Sequence, residues 1–276
     1  MTVRELVVDL FAEHLDAVTD QPVRLRSLVT LLETLDVAEP TTRMTTAALR
    51  RTGWLTASRR GRETLYTPTE ELRAAVRVRW ARLDERLAPW DGRWRMVIYT
   101  VPETDRAVRE RVRRTLTRHG FGPLAPATWL SPHRVALDSV RTELAGEPIS
   151  RLDLLTAQLT AETGGSDAAL AARCWDLHGV AVAYRQEIEL MRAVLAGPVP
   201  DGAAALVTHL RALARVRRVS NGDPILPDAL RPPGWPGVEL RDAWMEFCAV
   251  LAGPARRYVA DVLVRPAQRT TAALPG

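Results

Sequence analysis

The sequence predicts an α+β protein in three successive parts. Apolar residues recur at spacings of three and four over residues 3–52, then give way to two β-rich runs around a glycine. Strand-like and helix-like runs alternate between residues 94 and 159. From residue 167 onward the apolar pattern is almost entirely helical. The domain boundaries expected from this are 1–69, a linking helix at 70–89, 90–166, and 167–276.

The first part begins with Val3, Leu6, Val7, Leu10, Phe11, Leu15 and Val18, one face of a helix ending before Thr19-Asp20-Gln21-Pro22. Leu25, Leu28, Val29, Leu32 and Leu35 mark a second helix, and Asp36-Val37-Ala38 a turn. A third helix runs from about Pro40 to Thr52, with proline in the first turn and Gly53 just past the end. Trp54-Leu55-Thr56-Ala57-Ser58 and Glu63-Thr64-Leu65-Tyr66-Thr67 read as strands, joined by the basic turn Arg59-Arg60-Gly61-Arg62. Three helices and a basic-tipped hairpin are the order of a winged helix-turn-helix, whose third helix enters the major groove. Ala38 stands where a capping serine is usual, and Thr42, Thr45 and Thr46 where aliphatic residues usually face the core. A buried threonine hydroxyl there must find a partner.

Glu70 to Leu87 reads as a linking helix. Trp94 to Val101 is a strand, and Pro102-Glu103-Thr104-Asp105 opens a helix that runs to His119. Gly120-Phe121-Gly122-Pro123 ends that helix, and Ala127 to Leu130 is a short strand. Val135–Leu144 is a helix and Ile149–Leu159 a strand, which together make a small α+β sandwich. Helices follow at Ala168–Leu195, Ala203–Arg217 and Val238–Leu263. The proline-rich run from Gly222 to Gly237 between the last two is an extended strap anchored by Leu226, Leu230 and Trp235.

Composition excludes several classes. The chain has 276 residues, of which 46% are apolar and 26% charged, so disorder is excluded as the overall state. No apolar run approaches the roughly 20 residues that span a bilayer. The charged start, Met1-Thr2-Val3-Arg4-Glu5, is not a signal peptide, and Cys174 and Cys248 cannot build a disulfide framework. A cytoplasmic protein without a membrane partner is expected. All 38 basic residues are arginine. Residues 40–69 carry six arginines against one acid, and residues 73–145 fifteen against eight, within a formal net charge of +5. Arginine binds phosphate through a planar fork, so such blocks suit nucleic acid, although charged blocks also serve simply as solvated surface.

Arg43, near the start of the third helix, can donate to a guanine edge. Thr41 and Met44 flank it and can meet a phosphate or a thymine methyl, and Arg50 follows on the same helix. Arg59, Arg60 and Arg62 at the hairpin tip would neutralise backbone phosphates. Cys174 and His178 are four apart, a metal-ligand spacing, but no second pair accompanies them and a buried cysteine beside a hydrogen-bonded histidine accounts for both. No nucleophile elbow, phosphate loop or Cys-x-x-Cys occurs, and no cofactor is implied.

Several segments together resemble the PaaX-type transcriptional regulators. The central signature is Trp90-Asp91-Gly92-Arg93-Trp94-Arg95-Met96-Val97-Ile98-Tyr99 followed by Val101-Pro102-Glu103. Gly120-Phe121-Gly122-Pro123-Leu124, Trp129-Leu130-Ser131-Pro132 and Cys174-Trp175-Asp176-Leu177 continue it. Asp223-Pro224-Ile225-Leu226-Pro227 and Pro232-Pro233-Gly234-Trp235-Pro236-Gly237 complete it. The resemblance implies a winged-helix repressor of catabolic genes that binds a double-stranded DNA operator as a homodimer. It also implies a ferredoxin-like middle domain, a helical C-terminal domain and an acyl-coenzyme A effector such as phenylacetyl-coenzyme A. On that expectation Arg106, Arg109 and Arg113, which share a helix face, would hold the effector's phosphates, and Trp235 would wall its acyl slot. The same arginines can equally face DNA backbone or water. The middle domain's likeness to a CRISPR-associated nuclease raises the alternative of a metal-dependent nuclease. That chemistry needs an aspartate at the end of the first strand, where Thr100 stands, with Asp91, Glu103 and Asp105 nearby.

Overall fold

The computed structural model describes residues 2–76, 89–134, 137–158 and 165–264. The chain forms two compact units, and neither is continuous in sequence. One comprises residues 1–78, 187–216 and 241–276; the other comprises residues 79–186 and 217–240. The residues expected to form one helical C-terminal part are thus shared between the two.

In the first unit, helix α1 starts at Val3–Leu10, widens through one π-type turn at Phe11–Leu15 and ends at Asp16–Val18. Thr2 and Glu5 close a capping box at its start, which satisfies two amides that have no partner inside the helix. The expected helix was regular throughout; the π turn was not legible. Strand β1 (Val23–Arg24) leads into α2 (Leu25–Glu33), and a tight turn through Asp36, at φ +63°, leads into α3 (Glu39–Arg51). Gly53, at φ +77°, ends α3 as its position after the last turn requires, with the Trp54 amide donating to the Leu49 carbonyl. Strands β2 (Leu55–Arg60) and β3 (Glu63–Pro68) form the hairpin, and β1 adds to it in the order β1-β3-β2. A two-residue β1 is too short to leave a period-two signature in the sequence. The described part of the linking helix, α4, covers 70–76; residues 77 to 88 lie outside the described residues.

The core of this unit gathers Leu6, Leu10, Phe11 and Leu15 of α1, Leu28, Leu31 and Leu32 of α2, and Leu49 of α3, each at most 2% exposed. His14 lies in the π turn and is fully buried, with its Nε2 3.1 Å from Nδ1 of His209. Cys248 Sγ is 3.4 Å from the other ring nitrogen of His209. Burial, reinforced by the neighbouring histidine and by Arg256, pushes His14 down to about 3. Burial and then Arg256 push His209 down to about 4.

In the second unit, β4 (Trp94–Thr100), α5 (Arg106–Arg118), β5 (Gly122–Ala125), β6 (Thr128–Ser131), α6 (Leu137–Leu144) and β7 (Arg151–Ala157) alternate along the chain. The sheet order is β5-β6-β4-β7 and every pairing is antiparallel, a ferredoxin-like arrangement in an α+β protein. Val97 and Tyr99 of β4 face α5 and α6, where Val108, Val112, Leu116, Val140 and Leu144 complete a core with Phe121 and Trp129. The other face carries Trp94, Met96 and Leu130. Helix α7 (Asp167–Cys174) and the strap residues Leu226 and Leu230 cover it, as the strap's apolar anchors predict. The Trp94 indole donates to Asp167 at 2.7 Å, and His133 donates through Nε2 to the Pro224 carbonyl at 2.8 Å.

Three expectations are corrected here. Gly122–Pro123 belongs to a strand, not to a helix terminus, because Gly122 lets the Trp175 ring lie against its backbone: a Cβ there would sit 2.4 Å from that ring. The helix expected over Ala168–Leu195 breaks between α7 and α8 (Leu177–Ala196). Trp175 is extended at the break, and Asp176 caps the Gly179 amide. Cys174 and His178 therefore lie on different helices and share no face. Cys174 is buried and its thiol is pushed up to about 11, while His178 is exposed. Helices α9 (Gly202–Asn221) and α10 (Gly237–Val264) complete the described residues.

Two stability predictions follow from buried polar groups in the first unit. Thr42 is fully buried and its hydroxyl has no partner among the described residues. Thr42→Val keeps the shape and removes that unpaired group, so it stabilises by about 1 kcal/mol and raises Tm by roughly 2–4 °C in thermal melts. The histidine pair fixes a pH dependence. Both folded values lie below the ordinary 6.5, so the unfolded chain takes up protons that the folded chain does not. This contribution is complete above about pH 6.5 and declines as pH falls toward 4. Melts at constant ionic strength should show Tm level above pH 7 and falling between pH 6.5 and 5, with a shallower fall in His14→Asn.

Candidate nucleic-acid interface

Helix α3 is divided lengthwise by burial. Thr42, Thr46 and Leu49 point inward, at 0%, 0% and 1% exposure. The Thr46 hydroxyl donates to the Thr42 carbonyl at 2.9 Å, the usual way a helical threonine satisfies itself. Inward residues at i, i+4 and i+7 leave Arg43, Met44, Ala47, Arg50 and Arg51 outside. Met44 is 68% exposed. Thr41 is half-buried at the edge of this outward face. The helix begins at Ala38 with no side-chain cap, as its sequence predicts.

The hairpin projects as a wing. All of β2 beyond Leu55 is exposed, including Arg59 and Arg60, and so is Arg62. Arg60 pairs across the hairpin with Glu63, and Gly61, at φ +62°, takes the first position of the two-residue loop between them. Glu63, next to the loop, is tied by Arg24 at 3.2 Å and Arg26 at 3.1 Å, so the one acid of this basic segment is held by two arginines from outside the hairpin. Arg4 stacks over Trp54 at 4.6 Å, where the chain enters β2. All seven residues singled out in the sequence lie on this helix and wing. One residue with a direct hold on the group was not singled out. Glu39, in the first turn of α3, accepts from Arg43 Nε at 2.7 Å. Its i,i+4 spacing to Arg43 was the available signal.

The proposed effector residues do not all come together. Arg106, Arg109 and Arg113 line an open groove of about 440 Å³ along α5 with Glu110. Arg109 is held there by a 2.9 Å bond to the Glu103 carbonyl. Trp235 is not in that groove. It packs 5.9 Å from the Tyr184 ring, in the core on the sheet face opposite α5. The sheet lies between them, so Trp235 cannot wall an acyl slot continuous with the arginines. Tyr184 in turn donates to Asp223 at 2.6 Å, and the same carboxylate accepts from the Ile225 amide, which fixes the strap.

Of the carboxylates that a nuclease would use, Asp91 is otherwise engaged. Both oxygens of Asp91 accept from the Arg95 fork, at 2.6 and 2.8 Å, and that bond holds its carboxyl down at about 2. Among the described residues no three His, Cys, Asp or Glu side chains converge on a metal position, and no helix is long and apolar enough to cross a membrane.

Comparison with known proteins covers nearly the whole chain. Residues 2–72 match the family model for PaaX-like protein, residues 87–171 that for the PaaX protein central Cas2-like domain, and residues 175–261 that for the PaaX-like protein C-terminal domain. The transcriptional repressor PaaX of Escherichia coli strain K12 is 29% identical over 248 residues, which span 86% of this chain and 77% of that protein. The solved structure of the uncharacterized protein Rv0674 from Mycobacterium tuberculosis superposes with a TM-score of 0.67 at 27% identity, over 93% of this chain and 98% of that one. Three models of one family, matched in order from residue 2 to residue 261, identify the chain as a member of the PaaX family of regulators.

Proposed function

We propose that this protein is a sequence-specific DNA-binding transcriptional repressor acting in the cytoplasm. The outward face of α3 carries the reading. Arg43, Met44 and Arg50 are held away from the core by burial of Thr42, Thr46 and Leu49, which is the division a major-groove helix needs. Arg43 reads a guanine edge, Met44 meets a thymine methyl, and Thr41 and Arg50 contact the flanking backbone. Arg59, Arg60 and Arg62 rest the wing on phosphates. The name and function of the Escherichia coli relative support the repressor role. A homodimer on a two-fold related site fits the length of one recognition helix, which covers only a half-site.

The effector in this reading is an acyl-coenzyme A, and its phosphates lie along Arg106, Arg109 and Arg113. It acts by preferring the conformation that does not bind DNA, which shifts the population away from the operator. The acyl group lies against a surface other than Trp235.

Two measurements test these assignments. Arg60→Ala should weaken specific and non-specific duplexes alike, and flatten the plot of log K against log salt by about 0.9 per lost phosphate contact. An unchanged slope removes the wing from the interface. In calorimetry, phenylacetyl-coenzyme A or a related thioester should bind saturably and lower DNA affinity, whereas free phenylacetate should not. The double variant Arg106→Ala/Arg113→Ala should weaken the thioester by about tenfold or more, the worth of a charge-assisted bond.

A further inference from the structure

The recognition helix carries an acid that contact with DNA leaves without a role. Glu39 is the first residue of α3, and a single one of its carboxylate oxygens accepts from Arg43 twice, from Nε at 2.7 Å and from Nη2 at 2.6 Å. A guanidinium has two hydrogen-bonding edges, a side-on edge of Nε and Nη2 and an end-on edge of Nη1 and Nη2. Glu39 grips the side-on edge. The end-on edge, which can span O6 and N7 of guanine, stays clear of that grip. Both side chains are substantially exposed, at 58% for Arg43 and 47% for Glu39, so the pair contributes little to folding stability. A lone carboxylate beside DNA would also repel its phosphates.

Resting on the DNA-binding reading above, we propose that Glu39 is a positioning residue that makes Arg43 selective for guanine. Two effects combine. The side-on grip fixes the plane of the guanidinium before DNA arrives, so less rotamer freedom is lost on docking. The grip also neutralises Arg43, so the side chain gains little from settling on a passing phosphate and gains most from a base edge of matching geometry. An ungripped arginine at the same place would bind any backbone within reach.

The test uses the full chain and a duplex enriched from a random library by the wild-type protein, with a scrambled duplex of equal length as the non-specific probe. Affinities are measured across a salt series for wild type, Glu39→Ala, Glu39→Gln, Arg43→Ala and Glu39→Ala/Arg43→Ala. Glu39→Ala should bind the scrambled duplex more tightly, with a salt slope steeper by about 0.9. Its ratio of specific to non-specific affinity should fall about tenfold, within the discrimination of one bidentate base contact. Glu39→Gln loses the charge but keeps an oxygen that accepts from Nε and Nη2. It should therefore keep the ratio within about threefold of wild type while its slope steepens like that of the alanine variant. On the Arg43→Ala background, Glu39→Ala should lower the ratio no further. A ratio unmoved by Glu39→Ala, or lost equally in Glu39→Gln, overturns the positioning role and leaves DNA binding standing. A library that yields no enriched duplex overturns the DNA reading, and the positioning role with it.

Discussion

Strand β4 is apolar on both faces, and much of the second unit follows from that constraint. Val97 and Tyr99 need cover on one side, Trp94 and Met96 on the other. Helices α5 and α6 come directly from the ferredoxin-like connections and cover the first. Nothing in that local connectivity covers the second. The chain supplies α7 at once and then, some fifty residues later, returns with the strap to lay down Leu226 and Leu230. A strap fits because its prolines forbid a helix or a central strand but allow an extended run whose anchors face one way. Polar ties then hold it: His133 to Pro224 and Tyr184 to Asp223. The close approach of Trp175 to Gly122 belongs to the same covered face, because a side chain at 122 would displace the ring that stacks on Trp94.

The helix proposed to read DNA obeys a different constraint. A recognition helix must be anchored by a narrow inward stripe so that the rest of its circumference stays free. This one uses two threonines and a leucine, a less apolar stripe than usual, and leaves one hydroxyl buried without a partner. The compensation comes from α1 and α2, whose inward faces are mostly leucine, valine and phenylalanine, with Asp9, His14 and Ser27 among them. The outward face then carries a charge pair, a methionine and further arginines with no core duty. The acid in that set is what turns a merely basic face into one with a preferred geometry.

Much of this was legible in the sequence, and the misses share a cause. The helices of the first part, the basic hairpin and the strap anchors are periodic or punctuated, and period and punctuation survive in one dimension. The seven α3 and wing residues followed from that order alone. Strand β1 has two residues and no period to detect. Gly122 looks like a helix terminator because glycine serves two purposes, and only the position of Trp175 decides which. The break at Trp175–Asp176 interrupts an apolar pattern that is in phase on both sides. Trp235 and the arginines Arg106, Arg109 and Arg113 both suit a coenzyme A thioester, but chemical suitability carries no information about which side of a sheet a residue occupies. The His14, His209 and Cys248 cluster joins residues up to 234 positions apart in sequence, and no local signal announces it.

That cluster bears on how the protein comes into being. Helix α1 is made first, yet His14 meets His209 only after most of the chain has been synthesised, and the remainder of that core draws on residues 241–264. While the chain emerges from the ribosome, the inner side of α1 stays partly uncovered, because sheet-and-helix contacts this distant cannot form until their second half exists. This unit is therefore completed by α10, the last of the described helices. A fragment ending after the hairpin would keep the residues proposed to touch DNA and lose the contacts that α1 makes with His209 and Arg256.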